Sequence, residues 1–223
     1  MPAKVDEAVR SVRVHIGGDA WLAGDLASPS GARGLVLFAH GSGSGRLSPR
    51  NQFVARSLND HRFATFLIDL LTEEEDVVDQ RTADLRFDVE MLAERLTLVA
   101  DWLRLQKHVA PLPIGLFGAS TGGGAALIAA ASRPDAFSAV VSRGGRPDLA
   151  GSSLPHVAAP TLLIVGALDA PVIAMNKEAM AKMSAPVRLE IVPGATHLFE
   201  EPGALERVAA LASGWFERHL VRA

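Results

Sequence analysis

Ser120 lies in the stretch GLFGASTGGGAAL, with Gly118 and Gly122 two residues to either side. An apolar run precedes it and an alanine-rich run follows, so Gly-x-Ser-x-Gly falls between an expected strand and an expected helix. On such a sharp turn a serine becomes an exposed nucleophile. Small flanking residues let the two arms approach, and the helix N-terminus aims free N–H groups at a developing oxyanion. Alone, the motif also fits a glycine loop that merely starts a helix, so the partners decide. Asp169 stands just past the apolar run TLLIVGALD, where a carboxylate can orient an imidazole and stabilise its charge. By itself it would read as a helix cap. Asp148 is the rival acid, but it sits several residues into a Gly/Pro loop, whereas Asp169 follows its strand directly. His197, in VPGATHLF, lies between the last expected strand and the last helix, where it can serve as base and then acid. His15, His61, His108, His156 and His219 lack such a context and read as incidental.

A fourth stretch, HGSGSGR, follows the apolar run GLVLFAHG. Its glycines at 41, 43 and 45 leave backbone N–H groups unencumbered. The Thr121 N–H is the expected first oxyanion donor and the Ser42 or Gly43 N–H the second, with Gly41 against the substrate. The His40 ring is expected to hold the loop through hydrogen bonds. A phosphate loop does not fit, because the G-x-G-x-x-G spacing fails and no lysine is present in the stretch.

These side chains need a scaffold that brings distant positions to one rim. SVRVHI alternates apolar and polar residues and meets WLAGDLASP across Gly17-Gly18-Asp19, which reads as an antiparallel hairpin. GLVLFAHG, FATFLIDL, PIGLFG, FSAVVSR and TLLIVGALD are apolar runs suited to strands buried on both faces, and VRLEIVPG alternates in part, as an edge strand does. Helices are expected between them: one capped by Ser48 with Pro49 in its first turn, and one with Leu85, Val89, Leu92, Leu96, Val99 and Leu103 along a single face. The last helix carries Leu205, Val208, Leu211 and Trp215 on one stripe. A hairpin followed by alternating strands and helices implies a single α/β domain over 1–223: a mostly parallel sheet with helices on both faces and ligands at the carboxyl ends of its strands.

The chain is 48% apolar and 21% charged with a net charge of −3, which offers no footprint for nucleic acid or anionic lipid. The absence of cysteine excludes disulfides, thiolate zinc sites and a cysteine nucleophile. No run approaches the ~18 apolar residues of a membrane span, and MPAKVDEAVRSVRVHIGG lacks a signal-peptide core. A cytoplasmic protein is expected, with a small-molecule acyl substrate as partner and a homodimer as a possible assembly.

Ser, Asp and His, in that order and each at a strand tip, follow the chain order of the α/β hydrolases, and the whole chain resembles that superfamily. HGSGSG, GASTGGGAAL, GALD and GATHLF are similar to the dienelactone hydrolase-related group within it. That resemblance implies an eight-stranded core, no metal, no organic cofactor, and ester chemistry by Ser120, Asp169 and His197. Dienelactone hydrolase itself uses a cysteine, which this chain lacks, so activity on dienelactones is not carried over. The closer likeness is to serine members, including hydrolase-like domains found beside phosphoribosyltransferases. The function expected is hydrolysis of small carboxylic esters through an acyl-serine. The same triad also serves acyl transfer to an alcohol or peroxide, and a scaffold of this kind can persist as a non-catalytic module.

About 17 residues separate Arg143 from Thr161, short for a helical lid, so an open site without a large cap is expected. Residues 70–84 form the other candidate wall, and EEED within them (Glu73 to Asp76) reads as a solvated acidic turn. Arg143, at a strand tip beside the elbow strand, either binds a substrate carboxylate or pairs with Asp148 or another loop acid.

Overall fold

The computed structural model describes residues 9–220. The leading hairpin pairs β1 (Arg10–Gly17) with β2 (Ala20–Ala27) around the Gly17-Gly18 turn, where both glycines adopt positive φ. Strands β3 (Leu35–Ala39), β4 (Ala64–Ile68), β5 (Ile114–Ala119), β6 (Phe137–Arg143), β7 (Thr161–Gly166) and β8 (Val187–Val192) complete an eight-stranded sheet in the order β1-β2-β4-β3-β5-β6-β7-β8. The pairs β1–β2 and β2–β4 are antiparallel, and those from β4 to β8 are parallel. β8 lies at the edge and is only partly buried, which explains its partial alternation.

The central strands are apolar throughout because both faces are covered. In β3, Leu35, Leu37 and Ala39 join the core beneath α3 (Val89–Arg104) and α4 (Thr121–Ser132), whereas Val36 and Phe38 join the core beneath α1 (Pro49–Asp60) and α6 (Ala204–His219). This is the period-two alternation of a strand, read out into two cores instead of core and solvent. β5 sits at the middle of the sheet beside β3, so the serine turn and the glycine loop emerge side by side.

Two local expectations change. Leu85 does not begin the long helix. It opens a 3₁₀ turn (Leu85–Phe87) because the Asp79 carboxylate accepts its N–H at 2.8 Å, and α3 starts only after Asp88, whose side chain accepts the Met91 N–H at 3.0 Å. Glu73 to Asp76 are not a turn but the first turn of α2 (Glu73–Thr82), where Thr72 and Glu75 form a reciprocal capping box. Glu75 also takes a bidentate pair from the buried Arg95 at 2.5 and 2.6 Å, and this hydrogen bonding holds its carboxyl below the usual range. Between β6 and β7, residues Pro147–His156 form 3₁₀ turns, and α5 (Ala170–Met180) follows β7.

Candidate active site

Ser120 sits at φ 51° and ψ −122°, a conformation that costs a non-glycine residue about 1–3 kcal/mol. Three hydrogen bonds hold it there. Its N–H donates to the Arg143 carbonyl at 3.2 Å, and its carbonyl accepts from Gly123 and Arg146 at 2.9 and 3.0 Å. The turn also requires glycine on both sides: a Cβ on Gly118 would lie 2.5 Å from the Gly122 carbonyl oxygen, and one on Gly122 would lie 2.2 Å from that of Ala39. Although Ser120 occupies the N-cap position of α4, its hydroxyl makes no capping bond. The oxygen is left for chemistry.

Asp169 is likewise the N-cap of α5 yet does not cap it. Its Oδ2 accepts from His197 Nδ1 at 2.6 Å, with side-chain exposures of 13% for the acid and 38% for the histidine. A carboxylate can only accept, so Nδ1 carries the proton and Nε2 remains the free nitrogen of the ring. The imidazole rests on Gly144: a Cβ there would lie 3.2 Å from the His197 carbonyl oxygen and 3.5 Å from its Cε1. Gly144 directly follows Arg143, whose carbonyl holds the Ser120 N–H, so nucleophile turn and imidazole meet at the tip of β6. The rival Asp148 is paired instead with Arg146 at 2.7 Å.

The glycine loop after β3 is fastened at two points. His40 Nε2 accepts the Leu70 N–H at 2.9 Å, so Nδ1 bears the hydrogen and donates to the Gly41 carbonyl at 3.0 Å. Burial pushes the His40 pKa below its ordinary value, which keeps this tautomer in place. Gly41 approaches the nucleophile closely, since a Cβ there would lie 3.0 Å from both Ser120 Cβ and the Ala119 carbonyl oxygen. Ser42 requires a correction as an oxyanion donor: its N–H is already donated to Thr121 Oγ1 at 2.9 Å, which ties the loop to the elbow helix. The Gly43 N–H, next in the loop, and the Thr121 N–H, at the start of α4, are not donated in any loop or turn bond among the described residues. Thr121 thus contributes both a backbone donor and the hydroxyl that anchors the loop. That hydroxyl and the Leu70 contact were not visible in the motif, because each links positions far apart in the chain.

A cavity of about 690 Å³ borders this loop. Residues 40–46 line one wall, Trp21 and Leu71 another, and α2 a third through Asp76 and Gln80. Within residues 70–84 it is Leu71, Thr72 and α2 that border this cavity, as helix rather than turn, while Ser120, Asp169 and His197 are not among its lining residues. Arg46 and Arg86 face the cavity already paired, with Asp69 and Asp79 respectively, each at 2.5 Å. Arg143 differs. It is 8% exposed, it pairs with neither Asp148 nor any other carboxylate among the described residues, and its Nη2 donates only to Asn51 Oδ1 at 3.4 Å. Burial, then the nearby positive charge of Arg50, pushes its pKa down to about 10. No group of three or more His, Asp or Glu among the described residues is placed to hold a metal ion, and no described helix is long and apolar enough to cross a membrane.

The fold recurs in known proteins. A dienelactone hydrolase from Anabaena variabilis shares 58% identity and a TM-score of 0.93, the match covering 96% of this chain and 98% of that one. Est1E from Butyrivibrio proteoclasticus, 16% identical with a TM-score of 0.77 over 93% of this chain and 98% of its own, shares the fold. A Mycobacterium tuberculosis protein bearing the name "Putative phosphoribosyl transferase" is 53% identical over 98% of this chain, which spans about half (48%) of that relative's length. The family model for the dienelactone hydrolase family matches residues 22–219, nearly the whole of the described sheet with its helices. With this match, the eight-stranded sheet and the serine turn at its centre, the chain is a member of the dienelactone hydrolase family of α/β hydrolases.

Proposed function

We propose that this hydrolase is a serine esterase that cleaves small carboxylic esters through an acyl-Ser120 intermediate. The observation that carries the reading is the pairing of an uncommitted hydroxyl on a strained turn with an imidazole fixed by Asp169 at 2.6 Å over the same strand tip. In this mechanism His197 Nε2 takes the Ser120 proton as Oγ attacks the ester carbonyl. The Thr121 and Gly43 N–H groups receive the oxyanion. His197 then returns the proton to the leaving alkoxide, and water repeats the sequence to release the acid. The transferase activity in the name of the M. tuberculosis relatives is assigned, in this proposal, to the half of their length that this chain does not match.

A panel of p-nitrophenyl esters of increasing acyl length, with a fluorophosphonate probe, tests the reading. Hydrolysis and labelling are both expected in the wild type, and Ser120→Ala or His197→Ala is expected to lower kcat by about 10⁴-fold or more. A folded wild type that neither labels nor turns over any ester refutes it in favour of a non-catalytic module. Product analysis with excess alcohol or peroxide separates hydrolysis from acyl transfer.

A further inference from the structure

Several arginines that are buried or half-buried are matched: Arg46 with Asp69, Arg86 with Asp79, Arg95 with Glu75. Arg143 is the exception that matters, because it is buried. Its Nη1 has no hydrogen-bond partner, and beside it the Nε of Arg50 is also buried without one. Arg50 belongs to the first turn of α1 and Arg143 reaches Asn51 in the same turn; Asn51 is 2% exposed, and that turn contains no acidic residue to offset the positive end of the helix dipole. Among the described residues the carboxylate paired with Arg50 is Glu200, which reaches its Nη1 at 2.8 Å from a side chain 62% exposed, so water screens most of its charge. Two guanidinium groups thus converge at the start of α1, where Ser48 caps the Asn51 N–H and, among the described residues, only the exposed Glu200 pairs with either guanidinium. An unpaired buried charge is retained against its desolvation penalty, which points to an anion that belongs there.

We propose that Arg143, Arg50 and Asn51 form an anion subsite for a phosphate group carried by the ester substrate. The inference rests on the esterase reading for its chemistry, though the subsite can be detected without it. Placement connects the two. Arg143 pairs in register with Ala119, the residue before Ser120, and Arg50 lines the cavity that borders the oxyanion loop. The far wall of that cavity is acidic, with Glu73, Glu74 and Asp76, so a negative group is favoured only at the α1 end. Arg143 and Asn51 do not themselves line the cavity, so Arg50 must turn from the exposed Glu200 to admit the anion to Arg143. A doubly charged phosphate matches two guanidinium groups and a helix N-terminus, whereas a carboxylate leaves one guanidinium uncompensated.

The test has two arms. Thermal unfolding of the wild type, Arg143→Met and Arg50→Met is followed with inorganic phosphate, acetate or chloride at equal ionic strength. Phosphate is expected to raise the wild-type midpoint more than acetate does and to leave Arg143→Met unmoved. In chloride, Arg143→Met is expected to melt no lower than wild type, since it loses an unpaired buried charge. In the second arm, kcat/KM is compared for a phosphorylated ester and its neutral counterpart of equal acyl length. The ratio between them is expected to fall by about 10- to 100-fold in Arg143→Met and in Arg50→Met. Equal protection of Arg143→Met by phosphate, a stronger effect of acetate, a lower Arg143→Met midpoint in chloride, or an unchanged ratio overturns the proposal. A wild type that binds phosphate but cleaves neither ester refutes the esterase reading and leaves the subsite standing.

Discussion

Replacing Asp169 with asparagine changes one oxygen in the structure and two properties of the site. In the proposed mechanism His197 takes the serine proton, and an imidazolium forms beside a carboxylate at 2.6 Å, with the acid 13% exposed. Two unit charges ~4 Å apart interact by about 4 kcal/mol at an effective dielectric of ~20, and this pair is neither dry nor fully wet. Losing that stabilisation alone raises the barrier by an amount equal to about 10³-fold in rate. The second property works in the same direction. An asparagine amide can donate to Nδ1, which moves the ring proton to Nε2, the nitrogen that must accept from Ser120. Turnover of p-nitrophenyl acetate by Asp169→Asn is therefore expected to fall by about 10³-fold or more, with little change in thermal unfolding because the hydrogen bond survives in reversed sense. Ser120→Ala in the same assay sets the floor. A loss of less than about tenfold, with Ser120→Ala inactive and Asp169→Asn folded, would falsify the assignment of the imidazolium charge to Asp169.

Thr121→Val keeps the side-chain shape but leaves the Ser42 N–H without its acceptor, loosening the loop that carries the second oxyanion donor. It is expected to lower kcat by about 10- to 100-fold, corresponding to ~1–3 kcal/mol, with Thr121→Ser restoring most of the rate, and full activity in the valine variant refutes the tie. His40 gives a pH signature. Burial holds its folded pKa below the ordinary 6.5, so below that pH the unfolded chain binds more protons and stability falls as pH falls. A His40→Gln variant is expected to show a shallower acid limb in chemical unfolding as pH falls below 6.5. Equal limbs in the two proteins exclude the effect.

What the sequence revealed was local or periodic. Ser48 does cap α1, accepting from the Asn51 N–H, and the apolar runs became strands because each fills both faces of the sheet. Ser120, Asp169 and His197 are singled out as candidates by their positions at strand tips, which needs only the order of elements. Thr72-Glu73-Glu74-Glu75 held a readable capping box, but the run of acids drew attention to charge instead of to the threonine ahead of it. Other features could not be read. Nothing near Ser42 says that Thr121 takes its N–H, and nothing near Arg143 says that Asn51 and Arg50 face it, because those neighbours are set by how β3, β5 and β6 stand together.

The sheet order poses a distance problem that two glycines solve. Ser120 follows β5 and His197 follows β8, so the histidine loop must pass over β7 and β6, roughly 14 Å at ~4.8 Å per strand, to reach the nucleophile. It can do so only by lying against the strand tips. At the tip of β7 a Cβ on Gly166 would come within 2.4 Å of the Ala195 carbonyl oxygen and 2.5 Å of that of Thr196. At the tip of β6, Gly144 leaves the place where the imidazole itself rests. The loop is thus seated on backbone with no side chain between. The Gly166 peptide that carries this track also begins the turn to Asp169, since the Asp169 N–H donates to the Gly166 carbonyl at 3.0 Å. Carboxylate, imidazole and serine are positioned by one row of strand ends, and the β6 end contributes three times: the Arg143 carbonyl fixes the serine turn, Gly144 seats the base, and the Arg143 guanidinium faces the start of α1. A side-chain substitution at 143 is consequently separable from catalysis in a way that a backbone-shifting substitution at 144 is not.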